Sequence, residues 1–167
     1  MKAWVCIEIV GNLDNALLFI SYFITLVYKK NKMKIIICLD YSSLTEEVLN
    51  TTKSFINSLN SAEITVLHVI DEQLFYATTG YEIQLGEDLE SESKKLEELC
   101  IQYLGADVNY MVEYGIPKLK IDEMLMQINY DLLIVGRHSR HGLGDRLVGS
   151  FAEHILRNSI KPVLIIP

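Results

Sequence analysis

From Met33 onward, short runs of consecutive apolar residues alternate with longer stretches in which apolar residues recur every three or four positions. Lys34–Asp40 (KIIICLD), Ile64–Ile70 (ITVLHVI), Asp131–Gly136 (DLLIVG) and Pro162–Pro167 (PVLIIP) are continuous runs, the pattern of strands buried on both faces. Val108–Tyr114 alternates only in part and predicts a less deeply buried strand. Between the strands, Val48, Thr52, Phe55 and Leu59 share one helical stripe. Leu89, Leu96, Cys100 and Tyr103 share a second, ended by Gly105, and Ile121, Leu125 and Ile128 a third. Ser150–Asn158 carries Ala152, Ile155 and Leu156 on one face. Ser43-Leu-Thr-Glu46 has capping-box spacing for the first helix. Asp71–Asp88, with Gly80 and Gly86, predicts the longest loop and a candidate lid.

Strand–helix alternation without hairpin signals predicts an α/β domain with a parallel sheet and helices on both faces. Ligands in such folds sit beyond the carboxyl ends of the strands, where strand order reverses. Three segments are expected there: Asp40-Tyr41-Ser42, Val69-Ile70-Asp71 and the loop beginning at Gly136.

Residues 1–32 do not follow this pattern. Their clean apolar run, Ala16–Tyr28, is shorter than the roughly 20 residues of a spanning helix, and no small-residue cleavage site follows it. Three readings stay open: an extension upstream of a functional start at Met33, a weak membrane anchor, or an extra element packed on the domain or on a partner. A membrane association is not expected.

Composition narrows the field. A chain of 167 residues, half of them apolar, has the length of one domain and can bury a substantial core. A net charge of −7 argues against a nucleic-acid or anionic-membrane binder. Cys6, Cys38 and Cys100 form no CxxC pair and no zinc spacing, which points to a reducing, cytoplasmic setting.

Against that acidic background, Gly136–Ser150 (GRHSRHGLGDRLVGS) is locally basic, with Arg137, Arg140 and Arg146 against Asp145. It is no Walker loop, because no lysine stands between Gly149 and Ser150, and no dinucleotide fingerprint, because Leu147 follows Gly142-Leu-Gly144 where glycine is required. It is a loop that leaves a buried strand and enters a helix at Gly149-Ser150. Free amides and the positive dipole end at that point attract an anion. The competing reading is a solvated surface loop. His138, His141 and Asp145 form only a weak metal pattern, and no metal site is expected.

Together, MKIIICLDYS, LHVID, YDLLIVGRHSRHGLGDRLVGSFAEHIL and KPVLIIP resemble the universal stress protein family across Met33–Pro167. That resemblance makes residues 33–167 the family's domain and 1–32 an added segment. It implies a five-stranded parallel sheet of order 3-2-1-4-5 in a Rossmann-like, adenine nucleotide alpha hydrolase-like fold. The family's ATP-binding motif, G-x2-G-x9-G-S/T, becomes Gly136-x2-Ser139-x9-Gly149-Ser150, with serine in place of the second glycine. Carried over, the resemblance puts Asp40 and Val69 against the adenosine. Gly136, His138, Ser139, Gly149 and Ser150 lie around ribose and phosphates, and Tyr41, Ser42, Val135, Arg137, Arg140 and Phe151 complete the binding set.

The implied ligand is ATP, AMP or ADP, with Mg or Mn held by the phosphates. The implied function is a stress-response regulator acting as a homodimer through the C-terminal edge strand Val163–Ile166. No catalytic residue is expected. A non-binding interaction module of the same fold and a slow ATP hydrolase or autokinase, with Ser150 as its first suspect, are the alternatives. A left-handed serine at 139 costs on the order of 1–2 kcal/mol, roughly ten- to thirty-fold in affinity.

Overall fold

The computed structural model describes residues 6–8, 32–59, 61–80, 86–137 and 149–167. Six parallel strands form one sheet: β1 (Cys6–Glu8), β2 (Met33–Leu39), β3 (Ala62–Asp71), β4 (Asn109–Gly115), β5 (Leu132–Gly136) and β6 (Val163–Ile166). Their spatial order is β1-β6-β5-β2-β3-β4. Numbered from Met33, the last five strands run 3-2-1-4-5, the order expected above.

Period-two geometry explains why the apolar runs are continuous. Ile35 and Ile37 of β2 face one core with Ile64 and Val66 of β3, Leu132 and Ile134 of β5, and Leu164 and Ile166 of β6. Ile36 and Cys38 face the other, with Leu67, Leu133, Val135, Val163 and Ile165. Both faces are buried, so neither set of alternate positions can be polar.

The first core is closed by α1 (Thr45–Asn57), through Val48, Leu49 and Phe55, and by α3 (Glu87–Tyr103), through Leu96 and Cys100. The second is closed by α4 (Pro117–Gln127), through Ile121 and Met124, and by α5 (Ser150–Asn158), through Ala152 and Ile155. Each of these side chains contributes about 1.5–3 kcal/mol on full burial if it is large. Gly105 ends α3 in the left-handed region at φ 101°, with its amide donating to the Cys100 carbonyl. β4, at one edge of the sheet, alternates exposed and half-buried residues, as its weaker pattern implies.

Three expectations need correction. Ser43 does not open a capping box: the residue preceding α1 is Leu44, with no side-chain cap. Ser42 acts instead, its hydroxyl accepting from the Leu44 amide at 3.3 Å. The Asp71–Asp88 segment is not simply a loop, because Glu72–Thr79 forms a further helix, α2. Asp71 caps it, accepting from the Gln73 and Leu74 amides at 3.1 and 3.2 Å, and Gly80 closes it at φ 78°. No residue of α2 is buried, so no apolar stripe marked it. Finally, β6 is not the outermost strand, because β1 pairs alongside it.

Among the described residues no helix is long and apolar enough to cross a membrane. The run Ala16–Tyr28 lies outside them.

Candidate functional site

The carboxyl ends of β2, β3 and β5 open into a cavity of about 1070 Å³. β2 lies between β3 and β5, so the chain leaves it toward one side and returns on the other. This is the strand-order reversal where crevices form in doubly wound sheets.

Eight of the expected residues line this cavity: Asp40, Tyr41, Ser42, Val69, Gly136, Gly149, Ser150 and Phe151. Val135 does not; it is 1% exposed and packs in the core beneath. Arg137 is absent from the lining, and its amide donates to the Ile166 carbonyl at 2.7 Å, tying the end of β5 to β6. His138, Ser139 and Arg140 lie outside the described residues, as do His141, Asp145 and Arg146. Among the described residues no cluster of metal-ligating side chains exists.

Asp40 ends β2 exposed to the cavity. One of its oxygens accepts from the Ser42 amide at 3.0 Å, and the other takes no hydrogen bond among the described residues. The turn it starts is strained. Tyr41 sits at φ 51°, the left-handed region that favours glycine and asparagine. Its ring compensates. It stacks on His68 with centroids 4.0 Å apart, carries Lys95 Nζ 3.9 Å from its centroid, and donates its hydroxyl to the Glu92 carbonyl at 3.4 Å. A cation over an aromatic face contributes about 0.5–1 kcal/mol where exposed. Burial, and then the Glu92 charge, raise the Tyr41 pKa, so the phenol stays protonated.

His68 is itself buried, and its Nδ1 donates to the Leu39 carbonyl at 2.9 Å, which leaves Nε2 as the acceptor of the neutral ring. Burial lowers its pKa, outweighing that hydrogen bond. The ring is therefore a neutral support beneath Tyr41. Cys38 also lines the cavity, but burial pushes its thiol up to about 12, so it has little thiolate character.

On the far side, Gly136 is favoured by packing. A Cβ there would stand 3.0 Å from Val48 Cγ2 of α1, so glycine lets the helix close on the strand end. Gly149, at φ −59° and ψ 153°, has a backbone that any residue adopts. Its contribution is the missing side chain: nothing at residue 149 itself caps the first amides of α5, and Gly149–Ala152 all face the cavity. The same cavity is thus lined by an amide-rich helix start, by Asp40, whose second oxygen takes no hydrogen bond among the described residues, and by Val69 and Ile70 at the end of β3.

Sequence reasoning missed His68, Lys95, Thr45, Lys118 and the α2 wall of Leu74, Phe75 and Thr78. His68 had a signal, a titratable residue in the apolar run LHV near a strand end. Lys95 had none, because it lies on a helix whose path over Tyr41 only the fold sets.

A family model described as the universal stress protein family matches residues 32–167. The chain belongs to the universal stress protein family. Universal stress protein MJ0577 of Methanocaldococcus jannaschii is 29% identical over 152 residues, spanning 80% of this chain and 93% of that protein. Universal stress protein A homolog 1 of Coxiella burnetii is 31% identical over 137 residues, spanning 79% and 94%. The solved structure of MJ0577 superposes with a TM-score of 0.66 at 30% identity, covering 82% of this chain and 96% of that one. A universal stress protein solved in complex with cAMP shares the fold, with a TM-score of 0.55 at 17% identity over 81% of this chain and 96% of that one. The universal stress protein fold thus accounts for the five strands from Met33 onward; β1 lies outside the matched residues.

Proposed function

We propose that this universal stress protein binds an adenine nucleotide, ATP, ADP or AMP, as a regulatory ligand in the stress response, in the cytoplasm and without catalytic turnover. One observation carries the reading. The cavity at the sheet's reversal is lined both by Asp40, one of whose oxygens takes no hydrogen bond among the described residues, and by Gly149-Ser150, where α5 starts without a side-chain cap from residue 149. A carboxylate accepts from an exocyclic amine or a ribose hydroxyl, and helix-start amides with their dipole attract phosphate. Val69 supplies an apolar surface to the same cavity. That another protein of this fold is solved in complex with cAMP supports a nucleotide as the ligand class. A divalent ion, Mg or Mn, would be held by the phosphates rather than by a protein cluster. Asp40, Tyr41, Ser42 and Val69 are proposed for the nucleoside end. Gly136, His138, Ser139, Arg140, Gly149, Ser150 and Phe151 are proposed for ribose and phosphates. Homodimerisation through Val163–Ile166 belongs to this proposal only where that edge is open.

The test begins with purified full-length chain, denatured, and its supernatant resolved by anion exchange. Copurified adenine nucleotide, or a thermal shift with ATP, is the expected result. Absence of both at millimolar nucleotide would leave the non-binding interaction module as the better account. Ser139→Gly is expected to tighten binding roughly ten- to thirty-fold; unchanged or weaker binding would show that the hydroxyl matters more than the backbone.

A further inference from the structure

The outer edge of β6 is where a parallel sheet of this kind would end, and here it does not end there. Cys6, Ile7 and Glu8 pair in parallel with Val163, Leu164 and Ile165. β6 is apolar and buried along its whole length, from Val163 to Ile166. An uncovered strand of that kind presents free backbone groups and invites pairing with another chain. On that side each backbone group serves one neighbour, so β1 and a second copy exclude each other.

We propose that the N-terminal segment is an intramolecular edge strand that occupies β6 in the full chain and thereby sets the oligomeric state. Geometry permits pairing within one chain. Only β6 and β5 lie between β1 and β2, a lateral offset of roughly 14 Å at the usual strand spacing. Residues 9–32 connect them, with an extended reach of roughly 80 Å. Tethering also gives the segment an effective concentration in the millimolar range, above that of any second copy in dilute solution. A three-residue strand is a weak partner by itself, so the cover is displaceable, and its removal opens a pairing edge.

Two experiments on the full chain test this, and neither depends on nucleotide binding. Val163→Cys places a thiol at the register partner of the native Cys6. Under mild oxidation, analysed on non-reducing gels, the expected product is a cross-link within one chain. A cross-link between two chains, or none, would overturn the proposal. The second variant carries Ile7→Pro with Glu8→Pro. Successive amides of a strand point to opposite sides, so one proline must face β6. By analytical ultracentrifugation the unaltered chain is expected at its monomer mass of 19.1 kDa, and the double-proline chain at twice that mass. A dimeric unaltered chain, or a double-proline chain that stays monomeric, would equally sink it.

Discussion

β2 and β3 are neighbours in the sheet, and each run of apolar residues ends in an aspartate, yet the two carboxylates do different work. One oxygen of Asp71 is held by the Gln73 and Leu74 amides at the start of α2. Among the described residues Asp40 accepts only from the Ser42 amide, and α1 begins without a side-chain cap. One carboxylate caps a helix and the other closes a turn; both line the cavity, and each keeps a second oxygen without a hydrogen bond among the described residues. The difference arises at the residue that follows. Glu72 enters a helix directly, whereas Tyr41 turns left-handed and is held there by His68 and Lys95.

Removing each carboxylate should separate the two roles. Asp40→Asn is expected to weaken adenine-nucleotide binding by about 1.5–3 kcal/mol, the range for a hydrogen bond to a charged group, or roughly ten- to a hundred-fold. Calorimetric titration measures it, with urea midpoints expected to stay near those of the unaltered chain. An affinity within twofold of the original would remove Asp40 from the site. Asp71→Ala should do the reverse, lowering folding stability by about 1 kcal/mol as a lost helix cap does. Its nucleotide affinity should fall less than that of Asp40→Asn. If Asp71→Ala is the more damaging to binding, the assignment of roles between the two strands is wrong.

His68, which supports the left-handed turn, gives an effect that vanishes at neutral pH. Burial lowers its pKa from the ordinary 6.5. Above that value the ring is neutral in both folded and unfolded chains, and its titration contributes no pH dependence. As pH falls through it, the unfolded chain takes up the proton first, so stability declines until the folded-state pKa is also passed. His68→Asn retains a donor for the Leu39 carbonyl and has no proton to gain. Its unfolding midpoint should fall less between about pH 7 and pH 5; parallel curves would show that another group governs the acid limb.

Much of the fold was legible because both faces of the sheet are covered. Ile35, Ile36 and Ile37 have no polar alternation to obscure them, and the Ser150–Asn158 helix was marked by its apolar stripe and by the glycine before it. α2 was not legible, since a helix with no buried residue carries no stripe, and only Asp71 and Gly80 mark its ends. Among the residues lining the cavity, Asp40, Ser42, Val69 and Gly136 followed from where strands end, and Gly149-Ser150 from where a helix begins. His68 was visible only as an oddity in an apolar run, and Lys95 not at all.

The sequence by itself determined the strand order along the chain, the helices that bury a face and the strand ends that line the cavity, because periodicity and burial are local consequences of residue type. Only the tertiary structure decided which segments line the cavity around the two aspartates, what held Tyr41 left-handed, and that residues 6–8 cover β6. Those outcomes depend on contacts between segments far apart in the chain. Local pattern carries no record of which distant neighbour a backbone edge or an aromatic ring will meet.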